Sequence, residues 1–245
     1  MVAHSTDDKE KQQPQDAPLL SIRSVSKFFG ALAAVDSLSC ELSRGEVLGI
    51  GGPNGAGKTT LFDVISGLSP ASRGQVLFEG RDITRDSPES ICHRGMARTF
   101  QLNAGFDTLT AQENVEVSLI YGHTSPIFPG FSIGSEVREK SASVLEMVGL
   151  IDHRNALTAE LSVLDRKLLM VATAIVTQPR LLLLDEPVGG LTTTEMDAFQ
   201  KVVHRIKRTG VTIVLIEHVM RFLVSLSDRV LIMHHGQKIY EGSPE

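Results

Sequence analysis

The sequence predicts an α/β fold with a largely parallel sheet and a helical insertion. Three short runs are almost entirely apolar, which is typical of strands that a parallel sheet buries on both faces. They are Glu46–Gly51, Leu181–Leu184 and Val211–Ile216. Segments with helical periodicity, Lys58–Leu68 and Thr193–Thr209, alternate with these runs, as strand–helix–strand units require.

The start of the chain has a different composition. Residues 1–17 are rich in Asp, Glu, Lys and Gln, which predicts a disordered tail. We expect a single domain over residues 18–245. Its first strand is Leu20–Phe29, with Ala34–Leu42 as partner after a turn around Gly30. Further predicted elements are strand Gln75–Phe78, a helix from the Ser87 N-cap to Arg94, helix Arg166–Thr177 and strand Val230–Met233.

The middle of the chain, residues 103–164, changes character. Helical patterns at Ala111–Tyr121 and Glu136–Val148 flank a Pro/Gly-rich stretch, Ser125–Gly134. Gly149 is expected to end the second helix. We therefore predict a mainly helical lobe inserted into the α/β core.

Bulk composition limits the possible functions. The 245 residues carry a formal net charge of −5, which argues against a nucleic-acid surface, since such surfaces usually need a basic face. Cys40 and Cys92 lie far apart, which favours a reducing compartment over a disulfide framework. No run approaches the roughly 18 apolar residues of a spanning helix. We expect a soluble protein that reaches a membrane only through a partner.

The segment Gly52–Thr59 fits the G-x-x-x-x-G-K-[ST] pattern, between a predicted strand and a predicted helix. Glycines in this pattern let backbone N–H groups face a phosphate chain, and the helix N-terminus adds positive potential. Lys58 is expected to reach the β- and γ-phosphates of ATP, and Thr59 to help hold Mg²⁺. A chance match is the alternative, and the flanking elements disfavour it. The predicted ATP-binding residues of this segment are Gly52, Asn54, Gly55, Gly57, Lys58, Thr59 and the following Thr60.

Two carboxylates, Asp185 and Glu186, directly follow the apolar strand Leu181–Leu184. In open α/β sheets the carboxyl ends of the strands form the ligand-binding edge. We expect Asp185 to hold Mg²⁺ through water and Glu186 to orient and polarise the attacking water. Strands that merely end in acidic residues are common, so this motif gains its weight from the phosphate loop.

Two further polar residues, Gln101 and His218, occur where a hydrolytic site needs them. Gln101 lies where the core meets the helical lobe, and His218 follows the strand Val211–Ile216. A Gln can sense Mg²⁺ and the attacking water, and a His can contact the γ-phosphate. The alternative for each is an ordinary surface residue.

Taken in order, these motifs resemble those of ABC-type ATPases. The resemblance covers nearly all of Leu20–Glu245 and implies a P-loop NTPase core with an antiparallel β subdomain and an inserted helical subdomain. It rests on Phe29, the Gly52–Thr59 loop, Gln101, Leu161-Ser162, Leu181–Glu186 and His218.

The resemblance also implies roles for individual residues. Phe29 would stack on adenine, with Phe28 as the competing choice. Glu186 would be the catalytic base and His218 the switch histidine. Gln101 would begin the loop that meets the transporter's membrane domain. The implied cofactors are ATP and Mg²⁺, the latter held by Thr59, Gln101 and Asp185.

Several short strings resemble ATPases of branched-chain amino acid importers, and lipopolysaccharide-export ATPases share some of them. The strings are Gly95–Gln101, Phe28–Val35, Ser125–Gly134 and Gly236–Glu245. The implied partners are a second ABC ATPase subunit placed head to tail, transmembrane permease subunits and a separate solute-binding protein, with no nucleic acid. The implied location is the cytoplasmic face of the cell membrane.

Two other functions remain as alternatives. A soluble ABC ATPase of translation or DNA maintenance usually carries two ATPase domains or a long coiled-coil insertion, and this chain shows neither. A regulatory module that binds nucleotide without hydrolysis is disfavoured by the presence of both Glu186 and His218.

The chain departs from the family pattern at its signature sequence. The family usually has Leu-Ser-Gly-Gly-Gln there, whereas this chain has Leu161-Ser162-Val163-Leu164-Asp165. Thr192 also replaces an Asp that helps to link the two sites of the dimer. Ser162 would still face the partner's ATP, but the lost glycines restrict its approach. We therefore expect unequal sites in a heterodimer, with a homodimer active at both sites as the alternative.

Overall fold

We describe the protein from a computed structural model, which covers residues 17–100, 105–122 and 134–244. The predicted tail lies outside these ranges except for Ala17, and so do Gln101 and most of the Pro/Gly-rich stretch. The strands are β1 (Leu20–Phe29), β2 (Leu32–Leu42), β3 (Val47–Gly51), β4 (Arg73–Phe78), β5 (Arg81–Asp82), β6 (Met96–Arg98), β7 (Leu181–Asp185), β8 (Thr212–Ile216), β9 (Arg229–His234) and β10 (Gln237–Gly242). The helices are α1 (Lys58–Ile65), α2 (Pro88–His93), α3 (Ala111–Tyr121), α4 (Ser135–Val148), α5 (Val163–Ile175), α6 (Thr193–Lys207) and α7 (Met220–Leu226).

The central sheet has the strand order β10-β9-β3-β8-β7-β6. Its pairs are parallel except for the antiparallel pair β10-β9. All residues of β7 and β8 are buried because the two faces of the sheet belong to different cores. Leu182 and Leu184 pack with the helices α3 to α7, whereas Leu181 and Leu183 pack with α1 and the second sheet. The predicted apolar runs therefore mark strands covered on both sides.

The second sheet is antiparallel, with the order β2-β1-β4-β5. Leu20 of β1 pairs with Leu42 on one side and with Phe78 on the other. Its apolar face packs against Leu61 and Phe62 of α1. This is the antiparallel β subdomain that the resemblance implies.

Between β6 and β7 the described chain is helical. α3 begins with a capping box, in which Thr110 and Glu113 bond to each other's backbone N–H groups. α4 ends at Gly149, whose φ of +85° is the left-handed stop that the sequence predicts. α3, α4 and α5 pack on one another around Val115 and Leu145. α3 and α4 lie within the predicted helical lobe, whereas the sequence expectation placed the helix Arg166–Thr177, which corresponds to α5, in the α/β core. None of the described helices combines the length and the apolar character needed to span a membrane.

Several elements differ from the sequence expectation. Strands β5 and β10 and helix α7 were not predicted. Helix α5 begins at Val163 instead of Arg166, because the Ser162 hydroxyl accepts a hydrogen bond from the Asp165 N–H and caps the helix there. Strand β6 was not predicted, since three residues carry too short a pattern. It forms by pairing with Leu181–Leu183 of β7.

Candidate nucleotide site

The phosphate loop connects β3 to α1 at the edge of the central sheet. Gly57 has a φ of +98° and stands immediately before the helix that starts at Lys58. A Cβ on Gly57 would collide with the Ala34 carbonyl oxygen, and one on Gly52 with the Met233 carbonyl oxygen. The loop therefore fits between two distant parts of the chain only because glycine occupies these positions.

The side chains of the loop divide into an inner and an outer set. Lys58 is only 5% exposed, and its ammonium donates to the carbonyls of Gly52 (2.8 Å) and Pro53 (3.1 Å). Asn54 and Thr59 are exposed at the outside of the loop. The positive charge is thus fixed inside a ring of backbone, at the N-terminal end of α1, where a phosphate group is favoured.

Asp185 is buried at the carboxyl end of β7. Its Oδ2 accepts a hydrogen bond from Arg98 Nη2 at 2.8 Å, whereas its buried Oδ1 has no hydrogen-bond partner among the described residues. Burial raises the pKa of Asp185, although the Arg98 guanidinium acts in the opposite direction. An unpaired carboxylate oxygen suits Mg²⁺, a hard cation that takes oxygen ligands, often one or two carboxylates together with phosphates and water. The described residues contain no group of three or more His, Cys, Asp or Glu side chains able to hold a metal.

Arg98 is a site residue that the sequence analysis missed. Its side chain is 6% exposed, and Nη1 donates to Asp63 Oδ1 (2.7 Å) and Ser66 Oγ (3.0 Å) of α1. The guanidinium therefore ties the end of β7 to the helix that follows the phosphate loop. The signal available in the sequence was the position of Arg98, a charged residue directly after the apolar pair Met96-Ala97, both of which are buried.

Glu186 and His218 meet at the ends of the neighbouring strands β7 and β8. His218 Nδ1 lies 3.9 Å from Glu186 Oε2, and both side chains are partly exposed. Glu186 has a φ of +45°, an unfavourable value for a residue other than glycine, and its N–H donates to the Ile216 carbonyl at 3.0 Å. Glu217, whose Oε2 lies 3.7 Å from His218 Nδ1, is a fully buried carboxylate that the sequence analysis also missed.

Comparison with known proteins identifies the family to which this arrangement of residues belongs. The family model for ABC transporters matches residues 35–189, which include the phosphate loop and the pair Asp185-Glu186. The chain belongs to the ABC transporter family. It is an ABC-type ATPase.

The similar proteins include transport subunits of bacteria and archaea. The high-affinity branched-chain amino acid transport ATP-binding protein LivG of Salmonella typhimurium is 33% identical over 236 residues, 93% of this chain and 92% of that protein. The probable LivG of Methanocaldococcus jannaschii is 34% identical over 233 residues, 93% of this chain and 90% of that protein. A crystal structure of a nucleotide-free ATP-binding cassette from an ABC transporter superposes with a TM-score of 0.85 at 32% identity, and covers 94% of this chain and 92% of that one.

In this ABC-type ATPase, the tip of the β1–β2 hairpin lies beside the phosphate loop, because Ala34 of β2 approaches Gly57. Phe29, at this tip, is 54% exposed, and the Lys27 ammonium lies 5.1 Å from the centre of its ring. Phe28 is only partly exposed and has the Arg73 guanidinium 5.6 Å from its ring centre. Exposure therefore favours Phe29 over Phe28 as an adenine contact.

The signature segment is the first turn of α5 together with its cap. Ser162 Oγ accepts from the Asp165 N–H (3.1 Å) and donates to Asp165 Oδ2 (2.8 Å). His153 Nδ1 approaches the same carboxylate oxygen at 3.3 Å, and Val163 is 55% exposed. The N-terminus of α5 is thus already occupied by a carboxylate of its own helix. Gln101 lies outside the described residues, directly after the half-exposed Phe100.

Proposed function

We propose that this ATPase powers the import of branched-chain or related amino acids. The similar proteins named above are branched-chain amino acid transport ATP-binding proteins, and the similarity spans nine-tenths or more of each chain. The hydrolytic part of the proposal rests on one observation, the meeting of Glu186 and His218 beside the buried Asp185.

The phosphate loop would bind the triphosphate. The backbone N–H groups around Gly52, Gly55 and Gly57 would face the phosphate oxygens, with Lys58 at the β- and γ-phosphates. Asn54 and Thr60 would complete the rim of the loop, and Phe29 would stack on the adenine ring.

Hydrolysis would take place at the strand ends. Glu186 would accept a proton from the attacking water, and His218 would donate a hydrogen bond to the γ-phosphate. Mg²⁺, when bound, supplies positive charge that offsets the charge of the phosphate oxygens. Thr59, Asp185 and Gln101 would hold it, which agrees with the unpaired Asp185 Oδ1.

The second ATPase subunit would dock head to tail, so that each nucleotide lies between one loop and the other subunit's signature. The signature of this chain is poorly suited to that task, because Asp165 adds negative charge and already binds the Ser162 hydroxyl. We infer a heterodimer in which a paralogous subunit supplies the better signature.

A permease would dock where the two subdomains meet. A groove of about 430 Å³ opens there, and its exposed apolar lining includes Leu68, Phe100 and Tyr121. Gln101 follows Phe100 in the chain, and its proposed role at the magnesium site would let it transmit motion of a bound permease. Docking of this kind would place the chain on the cytoplasmic face of the membrane, with a separate solute-binding protein delivering the amino acid.

The test of hydrolysis is Glu186→Gln, assayed for ATP binding and turnover with the paralogous subunit present. Turnover should fall at least about 100-fold, the usual effect of removing a general base, while ATP binding persists. Glu116→Gln is the matched control, since Glu116 is a buried carboxyl on α3 that takes no part in the proposed chemistry. Unchanged turnover in Glu186→Gln removes Glu186 from its role.

The test of transport is purification of the chain from membranes together with its partners. A permease and a paralogous ATPase should co-purify, and vesicles containing the complex should take up leucine, isoleucine or valine when ATP and the binding protein are supplied. Uptake of none of these amino acids by an ATP-hydrolysing complex contradicts the substrate class and leaves the ATPase intact.

A further inference from the structure

Glu217 is a fully buried carboxylate to which the proposed chemistry gives no task. It follows β8 directly, and its own N–H donates to the Ile50 carbonyl of β3 at 3.3 Å. Burial raises the pKa of Glu217, although backbone hydrogen bonds and His218 act in the opposite direction. The charged groups near Glu217 are Glu186, His218 and Lys167. Burial lowers the pKa of Lys167, and the carboxylates of Glu217 and Glu186 oppose that shift. Burial therefore disfavours the charged form of Glu217, and the backbone N–H groups that bond its oxygens favour it.

The two oxygens of Glu217 hold two different segments of the chain. Oε1 accepts from the Val188 N–H at 3.0 Å, and Val188 is two residues after Glu186. Oε2 accepts from the N–H groups of His218 (3.0 Å) and Val219 (3.3 Å). One planar group thus connects the segment that follows Glu186 to the segment that carries His218.

The backbone of Glu186 gives this connection its importance. A φ of +45° is unfavourable for Glu, so the surrounding contacts must maintain it. The Ile216 carbonyl holds the Glu186 N–H, and Glu217 holds the backbone two residues later. Loss of the second contact would let the Glu186 side chain leave its position 3.9 Å from His218.

The demand for three acceptor contacts explains why a carboxylate occupies the position. A carboxylate accepts hydrogen bonds on both oxygens, whereas an amide has one acceptor oxygen and one NH₂ donor. Glutamine would turn its donor towards backbone N–H groups on one of the two sides. A neutral residue of the same shape therefore satisfies only one of the two segments.

We propose that Glu217 is a positioning residue that fixes Glu186 relative to His218 for ATP hydrolysis. This inference rests on the proposed function, since it concerns the same reaction. It gives Glu217 no contact with nucleotide, so nucleotide affinity should not depend on it.

The experiment compares the variants Glu217→Gln and Glu217→Asp with Glu116→Gln in the assembled heterodimer. Both Glu217 variants should lower kcat by about 10- to 100-fold, the size of effect expected from a misplaced catalytic group, with KM for ATP changed less than about twofold. Asp keeps the charge, but it is one methylene too short to reach both segments. Amide hydrogen exchange of Val188 should become faster in both variants and stay unchanged in Glu116→Gln.

A double variant tests whether Glu217 acts through Glu186. In the Glu186→Gln background, Glu217→Gln should change the residual single-turnover rate less than about twofold, because residues that act as one unit are not additive. A full further loss in that background contradicts positioning of Glu186.

The remaining outcomes are equally decisive. Wild-type kcat in both Glu217 variants overturns the inference, and so does a rise in KM without a fall in kcat. If neither variant folds while Glu116→Gln does, Glu217 serves the fold and the inference is wrong. Full turnover in Glu186→Gln instead overturns the proposed chemistry, which the same assay reports separately.

Discussion

The phosphate loop and the signature segment Leu161–Asp165 differ in what surrounds them. The loop is wedged between Met233 and Ala34, and its lysine is buried among backbone carbonyls. The polar groups of the signature bond within their own neighbourhood, through the Ser162 cap, Asp165 and the half-exposed His153, while Leu161 and Leu164 pack against the core. Distant backbone thus fixes the polar groups of the first, while local contacts fix those of the second. A chain can lose its signature function without losing its fold.

The largest effect should come from a change on the loop side. Lys58→Ala should weaken ATP binding at least about 100-fold, because it removes the buried charge that we propose binds the β- and γ-phosphates. Ser162→Ala should leave ATP binding by this chain within about twofold. Equilibrium binding of a fluorescent ATP analogue measures both, and equal losses would show that the two elements matter alike.

Restoring the family's signature sequence should make the two ATP sites of a dimer of this chain more active. The triple substitution Val163→Gly, Leu164→Gly and Asp165→Gln removes the negative charge and frees the Ser162 hydroxyl. ATPase activity of the chain without its paralogue should rise about 10-fold or more, less than the roughly 100- to 1,000-fold that one well-placed oxyanion donor contributes. Asp165→Asn alone is the control for charge. Vigorous activity of the unaltered chain alone would refute unequal sites.

The two regions should also differ in stability. Arg98→Ala leaves Asp185 buried without its cation and should lower the free energy of unfolding by about 3–5 kcal/mol. His153→Ala removes a half-exposed contact to Asp165 and should cost less than about 1 kcal/mol. Urea unfolding of both variants measures the difference, and similar losses would contradict it.

The smallest effect concerns pH. Because the folded-state pKa of Glu217 is raised, the unfolded chain releases this proton first. The free energy of unfolding therefore falls as pH rises from the ordinary value of 4.5 to the raised one. Glu217→Gln lacks this loss, so its stability relative to the wild type should increase over that interval. Urea unfolding at several pH values tests the sign, and a relative decrease would show that the charged form is favoured.

The sequence predicted the elements whose signal is local. The apolar runs gave β3, β7 and β8, and the loop pattern placed Lys58 at the start of α1. Arg98 and Glu217 escaped because their partners, Asp63, Asp185 and Val188, come from distant segments that only the fold brings near.

The start of α5 was within reach of the sequence. Ser162 and Asp165 have the spacing of a capping box, and the residues between them are the first turn of the helix. The sequence prediction begins the helix three positions later, at Arg166, because it did not use this cap. The role of Gln101 remains a prediction, since it lies outside the described residues.

The packing of the β9–β10 turn behind the phosphate loop has a consequence for synthesis of the chain. Gly236, in the turn between β9 and β10, donates its N–H to the Ala56 carbonyl at 3.0 Å, and β9 is the neighbour of β3. A ribosome makes the loop early and this turn about 180 residues later, which takes about 10 to 40 seconds at about 5–20 residues per second. Throughout that interval the nascent loop has the right residues without the contact from Gly236, so the emerging chain should acquire ATP affinity only after this turn has been made.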